Sequence, residues 1–406
     1  MMLEDRLRSS LARRVADVHS TQDAWSSIEQ RAGGRRHKAA RAAVAVFALL
    51  LSAVSLVGLW TAFQPNAEEG TSSQRGTDES ELDPRVIARI PIGADARSVA
   101  VGPEGTWAIS ISSAACTDMS GAVSRIDPQT NKVAATVPVS IAPQEVAVGL
   151  GSVWVGGYTC RDGEDEDQQV EFEAVVLRLD AESNEIQSSI PVGRSSITGL
   201  AVESTGVWVS VGDSQSGEVA RIDATSNEVA TRIPLDRPVH AMVLGEDGIW
   251  VWVVDGGDSD EPGVLRIDPQ DGSIQPVSAI EVGGAFAIGN GTLWTGGALS
   301  DFEPDAVDGT ETVAVQIDTR TLSVVGEPIR LGDTVFLPFA VGEGGVWYLG
   351  GRAEAVIARL NAETLQVDEL ITVGNHHALN ATLDSDAGTI WVADERDGSV
   401  IRIDLR

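Results

Sequence analysis

The chain has 406 residues and a formal net charge of −31, because 60 acidic residues face only 29 basic ones. The charge is uneven: residues 1–63 hold nine basic and five acidic residues, so the remainder carries a net charge of −35. A surface this acidic repels nucleic acid phosphates, which argues against a nucleic-acid partner.

The first 38 residues predict a helical segment on the cytoplasmic side of a membrane. Apolar residues recur at three- and four-residue spacing at Leu3, Leu7, Leu11, Val15 and Val18, which is the pattern of an amphipathic helix. Such a helix suggests a docking segment for a cytoplasmic partner within residues 1–30. A helix lying on the membrane surface and a loosely ordered tail are the alternatives.

An uncharged apolar stretch, Ala42 to Phe63, predicts one transmembrane helix over residues 39–63. A helix of about 20 residues crosses roughly 30 Å of hydrocarbon. Five basic residues lie shortly before or at the start of this stretch, and Glu68 and Glu69 follow it. The positive-inside rule therefore places the N-terminus in the cytoplasm and the rest of the chain outside the cell membrane. A cleaved signal peptide is the alternative. The hydrophilic segment before the apolar stretch is long and an A-x-A cleavage site is missing, which favours an uncleaved anchor.

A polar segment, residues 64–82, separates this stretch from a repeated unit that fills residues 83–406. The segment lacks apolar periodicity, so it predicts a flexible linker. Three signatures mark the repeat and each occurs seven times: an R-I-D-like strand end, an I-P-V-G-like run, and a tryptophan in a V-W-V-like run. The tryptophans are expected to pack between neighbouring sheets, since large aromatic side chains dominate burial wherever they are enclosed. They are Trp107, Trp154, Trp208, Trp250, Trp294, Trp347 and Trp391.

Each unit of roughly 45 residues predicts a four-stranded antiparallel sheet. Apolar and small residues alternate at period two, and Gly-rich and Asp-Pro pairs supply the turns. Seven such units predict an all-β fold, a seven-bladed β-propeller. The first copy supplies only a fourth strand, Val86 to Ile92, and the last copy stops at Asp404 without one. The N-terminal strand is therefore expected to join the last blade and close the ring.

Three blades carry acidic runs in the connection between their second and third strands. In a propeller these connections share one face with those between the fourth and first strands, so this loop-rich face is the expected binding surface. Clustered carboxylates can coordinate Ca²⁺ or Mg²⁺, but no run has the spaced D-x-D-x-D-G pattern, so solvated loops are favoured and no cofactor is required. The residues are Asp162, Glu164, Asp165, Glu166 and Asp167 in blade 2, Asp255, Asp258 and Asp260 in blade 4, and Asp301 and Asp305 in blade 5.

The cysteines and three histidines are the remaining candidates for chemistry. Cys116 and Cys160 are the only cysteines and follow the second strands of neighbouring blades, which predicts a disulfide bond outside the cytoplasm. His240, His376 and His377 fall between fourth and first strands, near the channel mouth, where an imidazole can bind metal or act as a general base. Blades 4 and 7 lie across the ring from each other, so hydrogen-bonded surface histidines are the favoured interpretation.

The run G-A-V-S-R-I-D-P-Q-T-N-K-V-A-A-T-V-P-V at residues 121–139, followed by V-A-V-G-L-G-S-V-W-V, resembles the YVTN-type propeller repeat of secreted and surface-layer proteins. The resemblance covers about residues 83–406, with V-W-V in place of Y-V-T-N. It implies an extracytoplasmic binding or scaffold ring, mostly without catalysis. A relative, streptogramin B lyase, is a similar ring with a His and Glu site that uses Mg²⁺. The W-F-T-E-like blade motif of that lyase is missing from this chain. Only His376 and His377 are loosely similar to its histidine site.

Together these features predict a single-pass membrane protein whose extracytoplasmic propeller is a binding, scaffold or sensory module for a protein, glycan or small ligand of the cell envelope. The alternative is a metal-dependent lyase or hydrolase of streptogramin-lyase-like type, with His240, His376 or His377 at the channel mouth. A purely structural wall component is the third hypothesis.

Overall fold

The computed structural model describes residues 83–161, 171–213, 215–253, 263–277, 286–298, 312–332, 337–342, 345–350, 355–374, 384–386 and 388–405. Within these ranges, no helix is both long enough and apolar enough to span a membrane. The predicted cytoplasmic segment, transmembrane helix and linker (residues 1–82) lie outside the described residues, and so they stay predictions.

The described residues form seven antiparallel sheets, one for each predicted blade. The chain opens with β1 (Val86–Pro91), which belongs to blade 7. Blade 1 contains β2 (Ala96–Gly102), β3 (Gly105–Ser113), β4 (Ser120–Asp127) and β5 (Lys132–Val139); blade 2 contains β6 (Ala142–Gly149), β7 (Ser152–Arg161), β8 (Glu171–Asp180) and β9 (Ile186–Arg194). Blade 3 contains β10 (Ser196–Val202), β11 (Gly206–Gly212), β12 (Gly217–Asp223) and β13 (Glu228–Leu235); blade 4 contains β14 (Val239–Gly245), β15 (Gly248–Val253), β16 (Val264–Ile267) and β17 (Ile274–Pro276).

Blade 5 differs in having its outer strand in two pieces, with Gly326 at a positive φ of 72° between them. Its strands are β18 (Phe286–Gly289), β19 (Thr292–Ala298), β20 (Thr312–Asp318), β21 (Ser323–Val324) and β22 (Ile329–Gly332). Blade 6 contains β23 (Leu337–Gly342), β24 (Gly345–Gly350), β25 (Ala355–Asn361) and β26 (Val367–Gly374); blade 7 contains β27 (Asp384–Asp386), β28 (Thr389–Asp394) and β29 (Ser399–Asp404) with β1 outermost.

The N-terminal strand closes the ring, as the repeat order predicted. Strand β1 pairs antiparallel with β29, with Ile90 opposite Val400 and Val86 opposite Ile403. The start of β1 is also tied to blade 6, because Arg85 forms ion pairs with Asp83 and with Glu369. The chain is therefore an all-β, seven-bladed propeller in which the first strand completes the last sheet.

Equivalent ends of neighbouring inner strands lie side by side, which defines two faces. A Cβ atom added to Gly102 would meet Val148 of the next blade, and one added to Gly149 would meet Val202. These glycines end the inner strands at the face that holds the first-to-second and third-to-fourth turns, which we call the lower face. The second-to-third and fourth-to-first connections lie at the upper face.

The hydrophobic core lies between the blades. Each of seven apolar clusters joins two neighbouring blades, and each contains one of the seven repeat tryptophans. Trp154 of blade 2, for example, packs against Val207 and Val209 of blade 3. All seven tryptophans are at most 3% exposed, which confirms their predicted role in packing between sheets.

Arginine side chains tie the stacked blades together near the lower face. The guanidinium group of Arg178 lies 4.9 Å from the Trp154 ring centroid and donates hydrogen bonds to the Ala224 carbonyl (2.5 Å) and Asn227 Oδ1 (2.8 Å) of the next blade. Arg402 repeats this arrangement between blade 7 and blade 1, where the ring closes; we call this junction the seam. It stacks on Trp391 at 4.9 Å and donates to the Pro128 carbonyl and to Asn131 Oδ1 of blade 1.

The lower third-to-fourth turns share one local structure. In the blade 3 turn, Asp223 Oδ1 accepts hydrogen bonds from the N–H groups of Thr225 and Ser226, and these bonds lower the pKa of Asp223. Asn227 then adopts a positive φ of 58°, a conformation that asparagine tolerates better than most residues. The Asp-to-Asn spacing at 127–131, 180–184 and 223–227 is therefore a signature of this turn in blades 1–3.

We expect Arg402→Ala to lower the free energy of unfolding by about 1–3 kcal/mol, because it removes a stacked cation and two hydrogen bonds across the seam. Arg266→Ala is the matched control, since Arg266 donates to the Asp247 carbonyl within its own blade. Urea unfolding of both variants measures the difference. An equal loss of unfolding free energy in the two variants would show that the contact across the seam adds no more stability than a contact within one blade.

Candidate functional site

The upper ends of the inner strands in blades 1–4 place polar residues around the central axis of the ring. In each of these blades the pairing between the inner and second strands shifts register once, so one residue is left out of the ladder. Such bulges re-aim a side chain and are common beside functional sites. The bulged residues are Arg97, Gln144, Thr198 and His240.

One of the bulged residues links neighbouring blades, and another forms a contact within its own blade. Gln144 Oε1 of blade 2 accepts a hydrogen bond from the Ile197 N–H group of blade 3 at 2.9 Å. The hydroxyl oxygens of Thr198 and Ser210 lie 2.9 Å apart within blade 3. Gln144 Oε1 and the Thr198 hydroxyl are therefore already engaged in contacts within the ring.

His240 is the described member of the predicted histidine set. It lies inside β14 as the second residue of that inner strand, rather than in the preceding connection, because the strand already begins at Val239. Its exposed ring lies 5.1 Å from the Trp252 ring, tilted by 53°. Partial burial lowers the pKa of His240, which favours the neutral imidazole, the form that accepts a proton or binds a metal ion.

A second group of charges lies where blade 7 meets blade 1. Arg97 Nη2 is 3.1 Å from Asp95 Oδ2 and 3.1 Å from Glu395 Oε1, so two carboxylates share one guanidinium nitrogen. Burial raises the pKa of Glu395, the neighbouring Asp95 raises it further, and Arg97 opposes the shift. Residues 95 and 395 are 300 positions apart, and only ring closure brings them together.

Glu145 is a half-buried acid that the repeat pattern did not single out. It lies on inner strand β6 beside the bulge at Gln144, and burial raises its pKa to about 7. Aligning the repeats on their tryptophans puts Ser98, Gly199 and Ala241 at the same position in blades 1, 3 and 4. In an alignment of these blades, a single glutamate at a position otherwise occupied by small residues is the feature that could have identified Glu145 from the sequence.

The predicted disulfide bond is confirmed. Cys116 and Cys160 are joined across blades 1 and 2, with their Cα atoms 5.4 Å apart. Cys160 lies inside β7, opposite Phe172 of β8, because these two strands extend further than the pattern suggested. Phe172 is 40% exposed and packs edge-on against Tyr158 at 5.4 Å, so the bond braces an aromatic-bearing hairpin at the upper face.

The other predicted site residues lie outside the described residues. They are Asp162, Glu164, Asp165, Glu166, Asp167, Asp255, Asp258, Asp260, Asp301, Asp305, His376 and His377. The strands that flank the three acidic runs end at the upper face, as expected for second-to-third connections. Among the described residues, no group of three or more His, Cys, Asp or Glu side chains is arranged to hold a metal ion. The described residues test neither the favoured prediction of solvated loops nor the alternative of a Ca²⁺ or Mg²⁺ site.

The described part of the upper face thus combines several chemically distinct features: a neutral imidazole beside a half-buried indole, an acid with a raised pKa, a carboxylate pair on one arginine, and a braced hairpin with an exposed aromatic ring. They are distributed over blades 1, 2, 4 and 7. This spread suits contact with an extended surface or a ligand that spans several blades, since each group contacts a different part of it.

Comparison with known proteins identifies the fold and no family. No protein-family model and no curated protein matches the sequence. The structure of U3-55K is 12% identical with a TM-score of 0.55, and covers 80% of this chain and 100% of that one. The RRP9 WD40 repeats are 13% identical with a TM-score of 0.55, over 80% of this chain and 99% of that one. Kuenenia stuttgartiensis hydrazine synthase is 15% identical with a TM-score of 0.54, over 82% and 99%.

The chain is a seven-bladed β-propeller. At identities of 12–15% these neighbours support that architecture alone, because one fold carries many unrelated activities. What the propeller does must therefore be argued from its own side chains.

Loss of the disulfide bond is expected to destabilise the ring by about 2–4 kcal/mol, since it closes a loop across 44 positions and restricts the unfolded chain. Urea unfolding of the wild-type protein with and without dithiothreitol measures this cost. In a double Cys116→Ser, Cys160→Ser variant, which serves as the control, the reductant should have no effect. Equal stability of the reduced and oxidised proteins would contradict the prediction.

Glu145 predicts a pH dependence of stability. The folded-state pKa of Glu145, about 7, lies above the ordinary value of 4.5. The stability that Glu145 contributes is therefore fully present below about pH 4.5 and is lost as pH rises through 7. Glu145→Gln should therefore gain about 1–3 kcal/mol over the wild type at pH 8 and less than half of that at pH 5. Urea unfolding at both pH values checks this, with the exposed Glu182→Gln as control. A gain of the same size at pH 5 would contradict it.

Proposed function

We propose that this chain is a membrane-anchored, extracytoplasmic propeller whose upper face binds a protein, glycan or small ligand of the cell envelope, as a binding, scaffold or sensory module. The observation that carries the proposal is the Cys116–Cys160 disulfide bond. Disulfide bonds persist in oxidising compartments and are rare in the cytoplasm, so the bond favours a propeller outside the cytoplasm.

The sequence preceding the ring supports the same location. An uncharged run at residues 42–63 follows a basic segment, and the ring begins after a polar stretch of 19 residues. By the positive-inside rule this order puts the short N-terminal segment in the cytoplasm and the acidic ring outside. Residues 1–30 are then available to a cytoplasmic partner, and occupancy of the ring can be passed to them.

The position of the disulfide bond supports binding at the upper face. It holds the β7–β8 hairpin against blade 1 and so keeps Phe172 and Tyr158 in place. Rigid aromatic side chains that are partly exposed give large contact area at a low entropic cost. A preorganised element of this kind is typical of recognition surfaces.

His240 supports a second candidate, a lyase or hydrolase that works at the channel mouth. The imidazole is exposed beside Trp252, and a neutral imidazole can act as a general base or as a metal ligand. His376 and His377 are the further candidates for that site. If purified protein shows turnover of an envelope substrate, His240→Ala should reduce kcat at least tenfold, whereas unchanged turnover in the variant would remove His240 from this role.

Topology and anchoring are tested with C-terminal fusions in a bacterial host. A phosphatase that is active only outside the cytoplasm should be active after Arg406, whereas a green fluorescent protein exported in the same way should stay dark. Deleting residues 39–63 should reverse both results and release the chain from the membrane fraction. A fluorescent, phosphatase-inactive fusion of the full chain would place the ring in the cytoplasm and defeat the proposal.

Binding at the upper face is tested with the full chain in detergent and solubilised envelope components. We expect Phe172→Ser, which removes the exposed ring at the braced hairpin, to reduce the captured amount severalfold. Ile186→Ser, an exposed aliphatic change at the lower end of the same blade, is the matched control and should leave capture unchanged. Equal capture by the two variants would remove the hairpin from the binding surface.

A further inference from the structure

At the upper face, the seam is formed by two turns that are packed directly against each other. The β1–β2 connection, Ile92–Asp95, lies on one side, and the β28–β29 turn, Glu395–Gly398, lies on the other. The Ile92 N–H group donates to the Gly398 carbonyl at 2.9 Å, and a Cβ atom added to Gly398 would collide with the Gly93 carbonyl oxygen. The two turns therefore contact each other through their backbones, and charges placed on them act directly on ring closure.

Two carboxyl groups, one from each turn, converge on a single cation. Arg97 Nη2 lies 3.1 Å from Asp95 Oδ2 and 3.1 Å from Glu395 Oε1, and the two carboxyl groups are also in hydrogen-bonding contact with each other. The backbone of Asp95 is fixed here, because its carbonyl oxygen accepts a hydrogen bond from the Ile111 N–H group at 3.1 Å. The contact between the carboxyl groups is repulsive when both are ionised, whereas one shared proton makes it a hydrogen bond.

The charged groups at the seam are unequal in number. Arg89 Nη1 of β1 lies 3.3 Å from Asp394 Oδ2 and 3.5 Å from Asp397 Oδ2, and the exposed Arg396 adjoins Glu395. Among the described residues, these contacts bring together four carboxyl groups and three guanidinium groups, which leaves one negative charge in excess when every group is ionised. A single bound proton balances this charge. The groups are Asp95, Asp394, Glu395 and Asp397, with Arg89, Arg97 and Arg396.

Glu395 is the member of the pair that favours the proton. Burial raises the pKa of Glu395 above the ordinary value of 4.5 and Asp95 raises it further, while Arg97 and Arg396 oppose the shift. The Glu395 side chain is 24% exposed, against 40% for Asp95, so Glu395 is the less solvated of the two. Protonated Glu395 can donate a hydrogen bond to Asp95, and the Asp95 carboxylate then keeps Arg97 as its counter-ion.

We propose that the Asp95–Glu395 pair is a pH switch on ring closure, in which one shared proton tightens the contact between β1 and the ring and loss of that proton loosens it. This inference depends on neither the proposed anchor nor the proposed ligand. Strand β1 is the part of the ring that responds, because it is the outermost strand of blade 7 and pairs with β29 alone. Outer strands of this kind open locally while the rest of a protein stays folded.

The sign of the pH effect follows from the direction of the pKa shift. A group whose pKa is raised in the folded state contributes stability that is fully present below its unfolded value, here about 4.5, and is lost as pH rises through the folded value. Acid should therefore tighten the seam, and neutral or alkaline solution should loosen it.

Hydrogen–deuterium exchange of the full chain in detergent, at about pH 5 and about pH 8, measures the opening of β1. Strand β13, the outer strand of blade 3, is the reference in the same sample, so that the pH dependence of the exchange chemistry cancels. We expect the protection of β1 relative to β13 to fall roughly threefold or more at the higher pH in the wild-type protein. In Glu395→Gln, whose side chain stays neutral, the ratio should not change. Glu182→Gln, an exposed change in blade 2, is the matched control and should behave as the wild type.

Two variants separate a switch from an ordinary structural contact, because they should move the pH midpoint of loosening in opposite directions. Asp95→Asn removes a negative neighbour of Glu395 and should lower the midpoint, whereas Arg97→Gln removes a positive one and should raise it, each by roughly half a pH unit or more. Asparagine tolerates the positive φ of 54° at position 95, so Asp95→Asn preserves the turn. The melting temperature at pH 5 shows which variants are folded, and Asp95→Asn with Glu395→Gln decides the matter if Arg97→Gln is not.

The remaining outcomes count against the proposal. If β1 of the wild-type protein is equally protected at both pH values, or is loosened by acid, the pair is not a switch of this sign. If the pH dependence persists in folded Glu395→Gln, another group is responsible. If Asp95→Asn changes the protection of β1 by the same factor at every pH, the pair has a structural role only.

Discussion

The enclosure of one tryptophan of each blade by the next blade is the contact on which the whole structure depends. Each of the seven apolar clusters is shared by two blades, so a blade has no complete core of its own. The cluster that holds Trp391 is completed by Ile90, Val99 and Ile126, which come from β1 and blade 1. Burial of the last core therefore requires the two ends of the chain to meet.

The arginine that stacks on the tryptophan adds polar contacts from its blade to the following blade. Arg178 and Arg402 each reach into the lower turn of the following blade, where an asparagine with positive φ presents its amide oxygen. One repeated sequence thus specifies a strand end, a turn and a link between blades. Because these links lie at the lower side, the upper connections are free to vary in length and charge.

The two faces of the ring consequently have different chemistry. The upper face carries the disulfide bond, the charged seam at Asp95, Arg97 and Glu395, and the ends of the strands that flank the acidic runs. The lower side carries tight turns and most of the exposed aliphatic residues. This asymmetry connects the fold to the proposed function, since the variable connections and the disulfide bond lie on the side that is proposed to bind a ligand.

The sequence by itself determined the blade number, the closing strand, the tryptophan cores and the Cys116–Cys160 bond, because each follows from a local signature repeated at a fixed spacing. It did not determine the raised pKa of Glu145. It also gave no indication that Asp95 and Glu395 share Arg97, and it placed His240 before its strand instead of inside it. Those features depend on bulges and on desolvation by neighbouring blades. They therefore arise only when the blades are packed around one axis, and the Asp95–Arg97–Glu395 contact joins residues 300 positions apart.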